Sequence, residues 1–322
     1  MPQAHAPQDR ENLLADVAEM YYLEERGQAE IARAVGVTRS MISRMLKEAR
    51  EKGIVEIRVR RSLQREHDLE TALVERFALQ AAFVVSMQQT SSERVLSYIG
   101  KAGAQVLMRH LVPGGILGIA WGTSISAAVD ALETTEPLGV KIVQLVGALG
   151  ARNDEYDGHA LVMRLADKLG GEAYYLNAPF LCPNAETAES LRRTQSIRDT
   201  LDLGKQAQVA LVGIGSAAPQ YSSYYLAGYV SSKEQNRLQK AGAVGDVCGI
   251  HFDLRGQDVC GDFCARSVTV CKDDLFNIPV RIGVAGGPGK VKPVSGALRG
   301  GFVNVLVTDA ITARQVLGQV KE

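Results

Sequence analysis

Two short stretches carry side chains whose types and spacing could do chemistry. In VTRSMISRMLKEAREKG (37–53), Ser40, Ser43, Arg44 and Lys47 recur at i, i+3, i+4 and i+7, so short hydroxyls and long cations share one side of a helix. Such a face suits a phosphate backbone and base edges, to which hydroxyls donate and arginine forks bind. In IAWGTSIS (119–126) an apolar run ends at Trp121, Gly122 permits close backbone approach, and Thr123 and Ser124 bring hydroxyls and amides to a helix start. Unpaired amides at a helix N-terminus favour an anion, and a phosphate is the natural guest. The plainer reading is a helix cap without a ligand.

Further residues offer weaker signals. AGGPGKVKP (285–293) carries Lys290 to the end of another apolar run, where its charge could oppose a phosphate or simply face solvent. AGAVGDVCGIHFD (241–253) sets Asp246 among glycines and apolar residues, as an acceptor for sugar hydroxyls or as the cap of a local turn. GIGSAA (213–218) imitates a GxGxxA dinucleotide fingerprint, but Pro219 interrupts the helix that should receive a pyrophosphate, so that reading fails. Gly213 and Gly215 remain as possible pocket walls. GKVK lacks the spacing of a Walker A loop. Lys141, opening KIVQL, could form an imine with an open-chain aldose if buried and deprotonated, although a strand entrance fits a solvated lysine better. No acid/base pair emerges, and no catalytic residue is assigned.

The elements that must position these groups fall into two patterns. ENLLADVAEMYYLEER (11–26) has Leu13, Leu14, Val17, Met20 and Tyr21 at helical spacing and stops at Gly27; QAEIARAVG (28–36) supplies a short helix; Gly36 suits a sharp turn and Thr38 a cap for the helix that follows. Helix, tight turn and helix make a helix-turn-helix, whose second helix enters the major groove of duplex DNA. Arg39, Ser40, Ser43 and Arg44 are then the readers, and Lys47 a phosphate contact. After Gly53, IVEIRV alternates as a short strand, followed by Arg60 and Arg61. A solvated basic bundle or a protein-docking module is the competing reading.

From residue 81 onward, apolar runs lead into glycines and then helices: AAFVV, GILGIAW, VKIVQLVG, VALVGIG, RIGVAGG and VNVLVTD. Runs without alternation, interleaved with helices, predict an open parallel α/β sheet covered on both faces, with ligands at the carboxyl ends of the strands. The domains expected are 1–61 for DNA binding, 62–80 as a linking and oligomerising helix with Leu69, Leu73 and Phe77 on one side, and 81–322 for the effector. Packing of that helix on the large domain accounts for its stripe nearly as well as pairing with a second copy.

The totals bound the answer. The 36 basic and 36 acidic residues cancel, so bulk charge gives no argument for nucleic acid. Locally, residues 1–32 hold two basic and seven acidic residues, a balance of −5, whereas 33–61 hold nine basic and three acidic, a balance of +6. No run approaches the roughly 18 apolar residues of a membrane span, and the first ten residues lack the apolar segment of a secretory signal. A cytoplasmic protein without membrane contact is expected. Five cysteines in a long chain predict reduced thiols. A zinc site at Cys260, Cys264 and Cys271 would need Cys248 or His251 as fourth ligand and lacks paired CxxC knuckles, so neither metal nor cofactor is assigned.

SRMLKEAREKGIVEI, LGIAWGTS, IVQLVGALG, VGIG, GAVGDVCG, AGGPGK and ALRGGFVNVLVTDAITA together resemble the SorC family of bacterial transcription regulators, in family order over nearly the whole chain. The resemblance implies a helix-turn-helix joined to a Rossmann-like sugar-binding domain related in fold to sugar-phosphate isomerases and aminosugar-phosphate deaminases. It implies a phosphorylated sugar that changes affinity for double-stranded operator DNA. Carried onto this chain, the phosphate loop is Gly122, Thr123 and Ser124, the acidic hydroxyl acceptor is Asp246, and the lysine is Lys290. Ser124 stands where family members often carry a second threonine, which keeps the hydroxyl. Two half-sites call for at least a dimer, and the family commonly forms tetramers. A repressor of a carbohydrate-utilisation operon is the leading expectation. A sugar-phosphate isomerase or deaminase with an accessory helical domain is the alternative.

Overall fold

The computed structural model describes residues 7–55, 63–87, 91–148, 156–226, 228–259 and 261–319. The chain divides into two compact units, Met1–Ser62 and Leu63–Glu322. The expected strand over IVEIRV, together with Arg60 and Arg61, lies almost wholly outside the described residues.

The first unit holds α1 (Pro7–Tyr22), α2 (Gln28–Val35) and α3 (Arg39–Glu51) around a core of Leu14, Val17, Ile31, Ile42, Leu46 and Ala49. Gly36 takes the left-handed conformation at φ 75° and ψ 30°, its amide donating to the Ala32 carbonyl, which lets the chain reverse within three residues. Thr38 caps α3 by accepting the Met41 amide at 3.3 Å. Arg10 forks onto Glu48, with bonds of 3.3 and 2.7 Å, and ties α1 to α3. One boundary differs from expectation. The first helix stops at Tyr22, after which the Glu24 and Arg26 amides turn back onto the Glu19 and Met20 carbonyls at 3.0 and 2.9 Å, and Leu23 is 77% exposed. Glu25 makes the left-handed turn at φ 55°, while Gly27 is extended and caps α2.

The second unit is a three-layer α/β fold. It begins with α4 (His67–Phe77), β1 (Ala81–Val85), α5 (Ser92–His110), β2 (Ile116–Ile119), α6 (Thr123–Ala131), β3 (Lys141–Gln144), α7 (Gly158–Leu169) and β4 (Glu172–Tyr174). It continues through α8 (Ala185–Arg193), α9 (Gln195–Lys205), β5 (Val209–Gly213), β6 (Gly215–Ser216), α10 (Ser223–Leu226), α11 (Ser232–Lys240), β7 (Gly245–Val247) and β8 (Ile250–Phe252). The last elements are α12 (Asp262–Arg266), α13 (Lys272–Asn277), β9 (Val280–Val284), α14 (Val291–Arg299), β10 (Val305–Asp309) and α15 (Ala310–Gly318).

Seven strands form one sheet in the order β1-β10-β9-β5-β2-β3-β4, every pairing parallel. Successive residues of β5 and β10 feed opposite cores: Val209, Leu211, Val305 and Val307 join α5, α6 and α7, whereas Ala210, Val212 and Leu306 join the cluster with α14 and α15. Burial on both faces is why these runs are apolar throughout. A second sheet, β6-β7-β8, is antiparallel and departs from the purely parallel reading. The helix expected to link the domains is α4, and it belongs to the large unit. Leu73 is fully buried there, with Leu69 and Phe77 packed on the same cluster, so its apolar stripe is covered within the chain rather than left for a second copy. Cys182, Cys248 and Cys271 are free thiols but Cys264 is disulfide-bonded, which corrects the expectation of reduced thiols throughout. Cys260 lies outside the described residues.

Candidate functional site

The carboxyl ends of β2 and β5 lie side by side where the strand order reverses, β3 and β4 lying beyond β2 and β9 beyond β5. Loops leaving two such strands diverge to opposite faces and open a crevice between them. Here the crevice is walled by Trp121, Gly122 and Ser124 after β2, Gly213 at the end of β5, Gly215 of β6, Asp246 from β7, and Lys290 at the head of α14. It encloses about 500 Å³ with its mouth included. Every effector residue expected from sequence lines it except Thr123, whose side chain is exposed.

Gly122 sits at φ 133° with no atom within 4 Å of where a Cβ would stand, so the backbone angle, not crowding, requires glycine. The first helical bond of α6 runs from the Ser126 amide to the Gly122 carbonyl at 2.9 Å. The amides of residues 123–125 precede it and stay available at the helix end. At Thr123 the group left open at the helix start is thus the amide, the side chain being exposed. Ser124 Oγ donates to the Val284 carbonyl at 2.9 Å, tying the helix start to the end of β9 while its lone pairs can still accept.

Opposite lies Asp246, only 5% exposed. Gly215 pairs with it across the small sheet, and a Cβ on Gly215 would stand 1.9 Å from Asp246 Oδ1; the carboxylate can lie there only over a glycine. Asp246 Oδ2 accepts the Tyr224 hydroxyl at 3.0 Å and the Gly249 amide at 3.1 Å. Tyr224 in turn stacks on Phe180 at 5.0 Å and meets Trp121 edge-on at 5.0 Å. Lys290 Nζ donates to the Ile214 carbonyl at 2.6 Å.

Burial dominates the electrostatics of this cluster. It pulls the Lys290 ammonium down from the ordinary lysine value, with nearby Asp246 opposing the shift. The lysine stem keeps some exposure, but the charged end is enclosed. Burial, reinforced by Asp246, holds the Tyr224 hydroxyl well above its usual range, so it stays a donor. Burial likewise pushes the Cys248 thiol up and His251 down, Asp246 adding to the first and opposing the second. Lys141 is elsewhere: it pairs with Ile116, the first residue of β2, at the end of the strands remote from the cavity. It cannot form an imine with a guest there.

On α3 of the first unit, Ile42, Met45, Leu46 and Ala49 are buried, while Arg39, Ser40, Ser43, Arg44 and Lys47 are all exposed. Lys47 faces Glu51 at 3.5 Å. Among the described residues, Arg39 and Arg44 enter no ion pair, so their guanidinium forks are available to phosphate or base edges.

Residues 61–318 match the sugar-binding-domain family (Sugar-bind), and residues 27–55 match the crp family of bacterial regulatory proteins. The chain is 31% identical over 307 residues to the sorbitol operon regulator of Klebsiella pneumoniae, covering 95% of this chain and 97% of that one. It is 29% identical over 313 residues to the deoxyribonucleoside regulator of Bacillus subtilis, covering 97% and 99% respectively. The crystal structure of the full-length sorbitol operon regulator SorC from Klebsiella pneumoniae superposes with a TM-score of 0.73 at 31% identity, over 96% of this chain and 99% of that chain. The chain belongs to the SorC family.

As a SorC-family protein it is a DNA-binding transcriptional regulator with a sugar-binding domain, not the isomerase or deaminase of the alternative reading. Among the described residues no helix is long and apolar enough to cross a membrane, and no group of three or more His, Cys, Asp or Glu side chains could hold a metal.

The sequence gives no sign of several residues that line this cavity in the SorC-family chain. Tyr224 and Ser223 line the cavity from SSYYL, a segment with no strand-glycine-helix signature. Trp121 was visible as a strand end, but its buried Nε1–H, without a partner among the described residues, is a donor that only packing reveals. Cys248 also lines the wall, at φ 53°. On α3, Met41 is 46% exposed beside the basic face, where an apolar group can meet a thymine methyl.

Proposed function

We propose that this regulator holds a phosphorylated sugar in the cavity at the β2/β5 reversal, and that the occupied and empty forms differ in affinity for operator DNA. The phosphate sits on the first-turn amides of α6 and on Lys290, and the sugar hydroxyls are taken by Asp246. Gly213 and Gly215 supply wall without bulk. Arg39, Ser40, Ser43, Arg44 and Lys47 contact duplex DNA. The protein acts in the cytoplasm as a homo-oligomer, dimer or tetramer, and represses a carbohydrate-utilisation operon until the sugar appears. Residues 1–61 carry DNA binding and residues 81–322 effector binding.

One observation carries this reading: an enclosed ammonium shares a cavity with the open first turn of a helix. A phosphate offers the first-turn amides an anion and Lys290 a charge-assisted contact that the neutral Ile214 carbonyl does not supply, and an unphosphorylated polyol offers neither. The relatives named for sorbitol and for deoxyribonucleosides support a sugar-derived guest. Regulation further requires different sugar affinity in the two DNA-binding states, since equal affinity shifts no equilibrium.

Thermal unfolding in the presence of phosphorylated pentoses, tetritols and hexoses, each beside its unphosphorylated form, tests the assignment. A ligand at about 100 times its Kd stabilises by about 2.7 kcal/mol, which for a unit of this size raises the midpoint by roughly 5–10 °C. One phosphorylated compound is expected to do so. If the unphosphorylated partner raised the midpoint equally, the phosphate cradle would be the wrong assignment.

A further inference from the structure

Two buried carboxylates join the cavity loop to the segment at which the large unit begins. Asp309, at the end of β10, is 2% exposed. Its Oδ1 accepts the Ile311 and Thr312 amides at 2.9 Å each, and its Oδ2 accepts the Thr312 hydroxyl at 2.6 Å and the Gly287 amide at 2.7 Å. A Cβ on Gly286 would stand 2.6 Å from Oδ2, so the glycine loop rests directly on this carboxylate. The Lys290 amide closes that loop onto the Gly287 carbonyl at 3.3 Å. In the parallel register of β1 and β10, Asp309 pairs with Val85 and Thr308 with Val84. The Val84 amide donates to Glu70 Oε1 at 2.9 Å, and Glu70 is 6% exposed.

Arg65 forks onto both Glu70 oxygens at 2.8 and 2.7 Å, bridges Val85 through its backbone, and lays its guanidinium over Phe83 at 4.4 Å from the ring centre. His67 Nδ1 adds a contact of 3.0 Å to Glu70. Arg65 is the third residue of the large unit, which starts at Leu63. The clamp thus lies at the start of the large unit, beside Leu63, which packs on the core, and Gln64, whose carbonyl accepts the Ser86 amide at 2.8 Å. Apolar packing could hold α4 on β1 at lower desolvation cost. A charge pair buried on its Glu70 side and forked at Arg65 instead sets one defined position for Arg65 relative to the end of β1, and β1 shares its register with the carboxylate that holds the Lys290 loop.

We infer that Glu70 is a positioning residue for regulation: with Arg65 it converts occupancy of the Lys290 cavity into a change in the segment that leads to the DNA-binding unit. This rests on the proposed sugar-phosphate reading of the same cavity. A guest that draws Lys290 off the Ile214 carbonyl displaces the loop pinned by Gly287 to Asp309. The strand pair carries that displacement to Val84, and Val84 is bonded to the clamp. Packed and hydrogen-bonded elements pass such shifts because they have discrete arrangements.

The test uses the full chain, the phosphorylated sugar giving the largest midpoint shift in the panel above, and a labelled operator fragment at fixed salt. In the parent, that compound is expected to change operator Kd by about fivefold or more, in the range usual for coupled sites. In Glu70→Gln, compound Kd and operator Kd without compound are expected to stay within about twofold of the parent, while the compound-induced change falls below about twofold. Arg65→Lys keeps the charge but loses the fork, and is expected to lose the same change; it decides the matter if Glu70→Gln does not fold. A structural role alone would lower the unfolding midpoint and leave the compound-induced change intact, and that result overturns the inference. If the compound stabilises the parent and alters its operator affinity while both variants respond as the parent does, only the inference fails. If no phosphorylated sugar stabilises the parent, the reading of the cavity fails and the inference with it.

Discussion

Replacing Lys290 by alanine is expected to weaken sugar-phosphate binding by at least about 30-fold while leaving operator affinity without effector unchanged. The estimate follows from the cost of truncating one partner of a buried charge-assisted contact, about 2–5 kcal/mol. Lys290 Nζ bonds the Ile214 carbonyl at 2.6 Å inside the cavity, a neutral acceptor from which a guest phosphate draws it. The first-turn amides of α6 remain in the variant and keep part of the affinity. The pH profile isolates the lysine. A sugar phosphate gains its second charge around pH 6, so affinity should rise from pH 5 to 7 in both proteins. Burial lowers the Lys290 pKa from its ordinary 10.5; its charge is present below the lowered value and lost above it. The parent should therefore lose affinity on the alkaline side before an ordinary lysine would deprotonate, and Lys290→Ala should show no such limb. Titration calorimetry across pH measures both. Equal affinities for the two proteins at pH 7 would remove Lys290 from the site.

Much of this architecture was legible because burial on both faces writes itself into composition. Val209–Gly213 and Val305–Asp309 contribute alternate residues to two cores, and such strands read as continuous apolar runs. The glycine after β2 and the lysine before α14 were visible for the same reason, as chemistry placed where a strand ends. What stayed hidden depends on pairing between distant segments. β6 has two residues and β7 and β8 three each; no periodicity can show in so few, yet their pairing is what lays Asp246 over Gly215. Whether Thr123 presents its hydroxyl or its amide was not legible, because the exposed side chain and the amide beside it cannot be separated without coordinates. Tyr224 sits in a segment with no signature and is fixed in the site by contacts with distant residues, Phe180, Trp121 and Asp246. Glu70 carries no signal of burial in REHDLE, and its burial follows from the meeting of α4 with β1.

Arg44→Ala is expected to raise operator Kd by about 5- to 150-fold at matched salt, the range for losing an arginine that reads a base edge. The side chain is exposed on α3, enters no ion pair among the described residues, and projects from the same turns as Ser40, Ser43 and Lys47, while Ile42, Met45 and Leu46 fix the helix from beneath. The substitution should therefore leave the fold of the first unit and the affinity for sugar phosphate as they were. Lys47→Ala separates the two kinds of contact on this face. A phosphate contact carries no sequence information and releases counterions, so its loss should weaken operator and unrelated duplexes alike and reduce the slope of log K against log salt by about 1. Arg44→Ala should instead narrow the gap between operator and unrelated DNA, because the discrimination is what disappears. Fluorescence anisotropy with both duplexes at several salt concentrations distinguishes these outcomes. An Arg44→Ala protein that still prefers its operator as strongly as the parent would mean that another element reads the bases and that α3 supplies charge alone.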